Sequence, residues 1–241
     1  MARRRRRRSR ADRAAAAACD AFERWAARYF GDVLRRKVPV HYVDGRPRTL
    51  RHVWADGFCP VIYQHRDEAE AFLAVLLGRG LTGTAVEIGL ERGGGHMLLR
   101  QVCRKVISVE RCTYKLLAFA RLAPADGRSI LICGDSAQRR TVLAVERAAA
   151  GPADVLFIDG DHGYQAVRSD YFLYRHLVRP GGVVAFHDTA GRSAEHRDIG
   201  ILLAQLRRGE LDGRRHELCD IVLTGTGVSY EIVTGAEGPE A

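Results

Sequence analysis

Between residues 85 and 187 the chain alternates short apolar runs with helical stretches, and that rhythm constrains its fold more than any other feature. Ala85-Val-Glu-Ile-Gly89 predicts a strand running into glycines, with a helix over His96–Arg104 behind it. Lys105–Glu110, Ser129–Gly134, Asp154–Asp159 and Val183–Phe186 predict four more strands. Helical spacing over Tyr114–Leu122, Ala137–Ala150 and Tyr164–Val178, and from about Ile199 to Arg208, fills the intervals. Strands this apolar belong to a parallel sheet covered by helices on both faces. Asp220–Leu223 and Val228–Val233, joined by Thr224-Gly-Thr-Gly227, add a closing hairpin. The expected fold is doubly wound, Rossmann-like α/β, with a mostly parallel seven-stranded sheet and an antiparallel C-terminal edge strand.

The remaining chain divides into two further segments. Residues 1–17 read as a disordered Arg-rich tail, 18–80 as a helical N-terminal extension and cap, and 81–241 as the α/β domain. Within the extension, Phe22, Trp25, Ala26, Tyr29, Phe30 and Leu34 space a helix over 18–36, and Glu68–Leu77 a second. Residues 37–66, with Gly45, Pro47, Gly57 and Pro60, read as loops and short pieces.

Charge follows the same division. Residues 1–13 hold eight Arg against one Asp, +7 of the net +9, so the folded part is near neutral. Such a run repels itself; it suits nucleic acid, anionic lipid, an import receptor or plain solvation. Asp20, Glu23 and Arg24 break the apolar stretch after Ala18, so no secretory leader is expected, although an organelle transit peptide stays open. No apolar run approaches the ~18 residues of a membrane span. Six cysteines without a C-x-x-C pair point to reduced thiols, no zinc site and a cytoplasmic compartment.

Doubly wound sheets bind ligands beyond the carboxyl ends of their strands, and the informative residues cluster there. Gly89, Gly93, Gly94 and Gly95 follow the first strand and would let backbone approach a nucleotide closely. Glu91 stands where the dinucleotide fingerprint needs its second glycine, and it would repel a pyrophosphate. A cofactor without phosphates is expected. Glu110 ends the second strand, 21 residues after Gly89, where an acid accepts from ribose hydroxyls. Asp135 and Ser136 follow the third strand, placed either to accept from an adenine amine or to cap a helix.

In that order these residues resemble class I S-adenosylmethionine-dependent methyltransferases over residues 85–233. Glu87-Ile-Gly89 resembles their first motif, Glu110 the ribose acid, and Pro180-Gly-Gly182 the turn before the fifth strand. Phe157-Ile-Asp159-Gly-Asp161-His162-Gly-Tyr164 and Ala185-Phe-His187-Asp188-Thr189 are similar to the branch of macrocin-type sugar O-methyltransferases and cephalosporin-hydroxylase-like proteins. They are more distantly similar to catechol and caffeoyl-coenzyme A O-methyltransferases.

The resemblance implies an enzyme that O-methylates a small hydroxylated acceptor. S-adenosylmethionine would be bound by Glu87, Gly89, Gly93, Glu110, Asp135, Ser136 and Asp159. A divalent cation, Mg²⁺ or another, would be held by Asp159, His187 and Asp188, with His162 as general base. His187 departs from the acid or amide of the best-known members. Imidazole suits transition metals better than Mg²⁺, so His187 either ligates a softer ion or lies beside a two-carboxylate site. Arg92 and His96 would meet the methionine end of the cofactor or face solvent; His52, His65 and His176 read as surface residues. Acceptor contacts are expected from 37–66 and 189–198, with Arg192, His196 and Arg197 suited to an anionic or sugar acceptor. Two other readings remain: a nucleic-acid-directed methyltransferase or binding protein using the Arg tail, and a homologue without turnover. Oligomeric state is left open.

Overall fold

In the computed structural model, placement is described for residues 8–29, 64–120, 123–191, 194–223 and 225–234. The start of the Arg run, residues 30–63 with His52, and Arg192 lie outside them.

The first helix, α1 (Arg10–Tyr29), begins eight residues earlier than the apolar spacing predicts. Local chemistry sets that start. The Ser9 amide donates to Asp12 Oδ2 at 2.7 Å and the Asp12 amide to Ser9 Oγ at 3.0 Å, a reciprocal N-terminal cap. Five consecutive alanines then favour helix, and residues 10–17 are helical. α1 lays Ala15, Cys19 and Phe22 against Ala69, Phe72 and Leu73 of α2 (Arg66–Gly78). Arg66 of α2 fastens the pair through Asp20 at 2.5 Å and Glu23 at 2.7 Å of α1, and Glu70 one turn along α2 holds it at 2.9 Å. His65, expected at the surface, is buried beside it.

The strand–helix alternation follows: β1 (Thr84–Ile88), α3 (Gly94–Leu99), β2 (Lys105–Glu110), α4 (Thr113–Ala120), β3 (Ser129–Cys133), α5 (Arg139–Ala149), β4 (Ala153–Ile158), α6 (Tyr164–Tyr174), β5 (Val178–His187), α7 (Ala194–Arg208), β6 (Leu218–Ile221) and β7 (Val228–Ile232). The sheet order is β3-β2-β1-β4-β5-β7-β6. β1 to β5 pair in parallel, and β7 pairs antiparallel with both β5 and β6. The antiparallel strand therefore sits one place in from the edge. Side chains alternate between two apolar layers, one packing Ala85, Val106, Val155 and Val183 towards α1 to α4, the other packing Val86, Ile107, Leu156 and Val184 towards α5 to α7. No described helix is long and apolar enough to cross a membrane.

One acid ties the N-terminal helices to the C-terminal hairpin. Glu68, 1% exposed, accepts the amides of Leu223 at 2.9 Å, Gly225 at 3.0 Å and Gly227 at 3.2 Å. That turn in turn accepts the Ala190 amide on Thr226 O at 2.6 Å, just beyond β5. Glu68→Ala is expected to cost about 2 kcal/mol or more, because buried donors lose their acceptor together. Urea denaturation of the variant against the parent measures it; an unchanged midpoint would show the turn holds itself.

Candidate active site

The order of strands reverses between β1 and β4, and two cavities open there beyond the strand ends. One, of about 210 Å³, is bounded by Glu110, Asp135, Ser136 and Asp170. The other, of about 290 Å³, is bounded by Glu87, His162, His187 and Asp188. Gly89, Glu91, Asp159 and Gly160 border both, so they form one trough.

Backbone sterics shape its floor. Gly89 has φ +94°, and a Cβ there would overlap the Asp159 carbonyl. Gly93 lines neither cavity; its φ of +81° and lack of side chain make room for the Phe119 ring. Glu91 is left-handed at φ +46° and pairs with Lys115, which also borders the smaller cavity and offsets its charge there. Glu110 accepts the Cys112 amide on Oε1 at 2.7 Å and the Glu91 amide on Oε2 at 3.2 Å. Each oxygen keeps a further lone pair. Asp135 borders the cavity, and its Oδ1 accepts the Ala137 amide at 3.0 Å. Gln138, not Asp135 or Ser136, is the cap residue of α5.

Glu87 is 1% exposed and takes a hydrogen bond from Ser108. Burial, with the charges of Asp159 and Glu110, pushes its carboxyl well above the usual range, against the Ser108 bond. At the other wall, His187 Nδ1 lies 3.0 Å from Asp159 Oδ1 and 3.3 Å from Asp188 Oδ1, while its Nε2 is buried without a partner. Burial lowers the His187 pKa, but the two carboxylates outweigh it and raise it to about 10. Burial raises Asp188, yet hydrogen bonding to and the charge of His187 carry it well below the usual carboxylate range. Asp188 Oδ2 faces the other way, 3.1 Å from His162 Nε2 and 3.8 Å from His196 Nε2. Asp188 itself is held at φ +59°, a strained conformation for a residue with a side chain.

The expected metal donors thus converge. One donor atom each from Asp159, His187 and Asp188 fall within 4.8 Å of one another, as do those from His162, Asp188 and His196. This set fits a divalent cation, and its imidazoles favour one softer than Mg²⁺. A cation at the first group would displace the proton that His187 shares with the carboxylates.

Two expectations are corrected. His96 meets neither cofactor space nor solvent: it is fully buried, with Nδ1 2.7 Å from Ser108 Oγ and Nε2 2.8 Å from Ser129 Oγ. The Arg92 side chain is only 15% exposed, with Nε 3.7 Å from Glu91 Oε1, so it does not face solvent. Asp170 was not anticipated. It lines the smaller cavity from the apolar face of α6, and burial with the charges of Asp135 and Asp161 raises it to about 6. An acid interrupting Val167, Tyr171 and Tyr174 was the available signal. Among the acceptor candidates, His196 reaches Asp188, and Arg197 borders an open groove of about 550 Å³ along α7.

Comparison with known proteins fits this architecture. The family described as a methyltransferase domain matches residues 86–189. Uncharacterized protein R132 of Acanthamoeba polyphaga mimivirus is 54% identical over 35 residues, 14% of this chain and 16% of that protein. Only a short piece of that relative is therefore spanned. Among solved structures, MycE methyltransferase from the mycinamycin biosynthetic pathway, in complex with Mg, SAH and mycinamycin VI, is 17% identical with TM-score 0.55; the match covers 90% of this chain and 56% of MycE. A Staphylococcus aureus protein named as a candidate caffeoyl-CoA O-methyltransferase is 16% identical with TM-score 0.54, over 67% of this chain and 79% of its own. SAH-bound PaMTH1 of Podospora anserina is 15% identical with TM-score 0.52, over 72% of this chain and 80% of its own. Residues 86–189 match the methyltransferase-domain family, and the fold is that of the S-adenosylmethionine-dependent methyltransferases related to O-methyltransferases.

Proposed function

We propose that the chain moves the methyl group of S-adenosylmethionine to the oxygen of a small hydroxylated acceptor, with a divalent cation assisting. The observation that carries this reading is the trough itself. A cavity walled by Glu110 and Asp135 runs across Gly89 into one walled by Asp159, His162, His187 and Asp188. Adenosine would lie in the first, its ribose hydroxyls donating to Glu110. The sulfonium would then sit near Gly89, within reach of an acceptor entering from the histidine side.

Bound S-adenosylmethionine supplies the methyl group together with its leaving group. A cation held by Asp159, His187 and Asp188, Mg²⁺ or another, would lower the pKa of the acceptor hydroxyl. The remaining work falls to the side chains. Asp188 Oδ2 holds His162 through Nε2, which leaves Nδ1 to take the hydroxyl proton as the oxygen attacks the methyl carbon and the carbon–sulfur bond breaks. The walls fix donor and acceptor in line, and that positioning supplies much of the rate. The solved complex of MycE with Mg, SAH and mycinamycin VI supports the same assignment by analogy of fold.

The test is calorimetric titration of the protein with S-adenosylhomocysteine, followed by methyl-transfer assays on phenolic and sugar hydroxyls with and without a chelator. Binding, and transfer that falls on chelation, is the expected result. Absence of S-adenosylhomocysteine binding by folded protein would overturn the reading.

A further inference from the structure

Behind the Glu87 wall lies a line of buried polar groups that the reaction does not use. Register places Glu87 opposite Ser108 on β2, and Ser108 donates to Glu87 Oε2. His96 of α3 bridges Ser108 to Ser129 at the start of β3, at 2.7 and 2.8 Å. Arg100 Nη1 reaches Ser129 Oγ at 2.5 Å, and its Nη2 reaches Asp126 at 2.5 Å. Glu87, His96 and Ser108 are each at most 1% exposed.

Donor and acceptor counting fixes every proton in this line once Glu87 is an anion. An ionised carboxylate only accepts, so the single Ser108 proton goes to Glu87. Ser108 oxygen must then accept from His96 Nδ1–H. Burial holds the imidazole neutral, its pKa pushed down to about 3, so Nε2 is bare and must accept the Ser129 proton. Ser129 oxygen in turn accepts from the Arg100 guanidinium. Every hydrogen bond in the line points towards Glu87. A line with one possible polarity holds its end group in one orientation.

The need for such a device is visible at its end. Burial and two neighbouring acids push Glu87 towards its neutral form, and the Ser108 hydrogen bond opposes them. Gly95 lies against Glu87 Oε1, where any Cβ would overlap the carboxylate, and Glu87 borders the larger cavity. If adenosine occupies the Glu110 side, the amino-acid end of the cofactor extends past Gly89 to this wall. Its α-ammonium needs an anion.

We propose that Ser129, His96 and Ser108 are positioning residues that hold Glu87 as an oriented anion for the α-ammonium of the cofactor's amino-acid end. The proposal rests on the methyltransferase reading above.

The test compares two ligands by calorimetry on the intact protein: S-adenosylhomocysteine, and 5′-methylthioadenosine, which keeps the nucleoside and thioether but lacks the amino acid. Ser108→Ala should weaken S-adenosylhomocysteine about 10-fold, the scale of a lost hydrogen bond to a charged group, and leave 5′-methylthioadenosine within about 2-fold. In a Glu87→Gln background the same substitution should change neither ligand. Ser129→Ala, at the partly exposed end of the line, should show a smaller loss with the same selectivity, and it serves if Ser108→Ala does not fold. Equal weakening of both ligands would mean the line merely fastens α3 to the sheet and overturns the proposal, as would no weakening of either. A parent protein that binds S-adenosylhomocysteine separates these outcomes from failure of the methyltransferase reading, which would show as binding of neither ligand and would overturn both.

Discussion

His162→Ala should lower turnover by ~10²-fold or more, the usual scale of a lost general base, with S-adenosylhomocysteine affinity unchanged. The argument is geometric. His162 Nε2 is engaged by Asp188 at 3.1 Å, and the ring is one-quarter exposed, so its second nitrogen can meet an acceptor that enters the trough. It lies on the opposite side of Asp159 from Glu110 and Asp135, where adenosine would bind. Single-turnover methyl transfer and calorimetry on the same preparation check both halves. Near-normal turnover would leave His162 as a structural partner of Asp188.

Glu110→Ala should weaken cofactor binding by about 10²-fold, since two hydrogen bonds from ribose to a carboxylate disappear together. It should also loosen the site before any ligand arrives. The Glu91 and Cys112 amides now end on Glu110, and neither has another acceptor in that turn. Glu110→Gln retains an oxygen for one amide and one hydroxyl, so its loss should be smaller. Calorimetry with S-adenosylhomocysteine ranks the three proteins; equal affinities would remove Glu110 from the site.

Much of this architecture was legible because burial on both faces forces strands such as Ala153–Ile158 to be apolar throughout, and such runs stand out from amphipathic helices. Residues that end strands were legible for the same reason: Gly89, Glu110, Asp159 and Asp188 sit where an apolar run stops. What stayed hidden depends on register and distance. His96 looked like a candidate for the cofactor because its partners, Ser108 and Ser129, lie 12 and 33 residues away and meet it only once three elements have packed. Asp170 was masked by the helix that carries it. The early start of α1 was local and readable, since Ser9 and Asp12 have capping spacing, but the Arg run beside them suggested disorder instead. The fate of residues 37–63, expected to touch the acceptor, falls outside the described residues.

The hold of Glu68 on the hairpin turn also dictates when the protein can become itself. A ribosome delivers Glu68 long before its donors, because the amides that bond to it are 155 to 159 positions further along. Until residues 223–227 have been made, α2 carries a carboxylate destined for burial with nothing to receive, and the loop after β5 lacks its brace. Contacts closed over such separations form late and slow assembly. The β1–β4 floor can assemble during synthesis, whereas the wall that carries His187 and Asp188 waits for nearly the whole chain. A nascent chain would therefore have a place for the nucleoside before it has the means to use it.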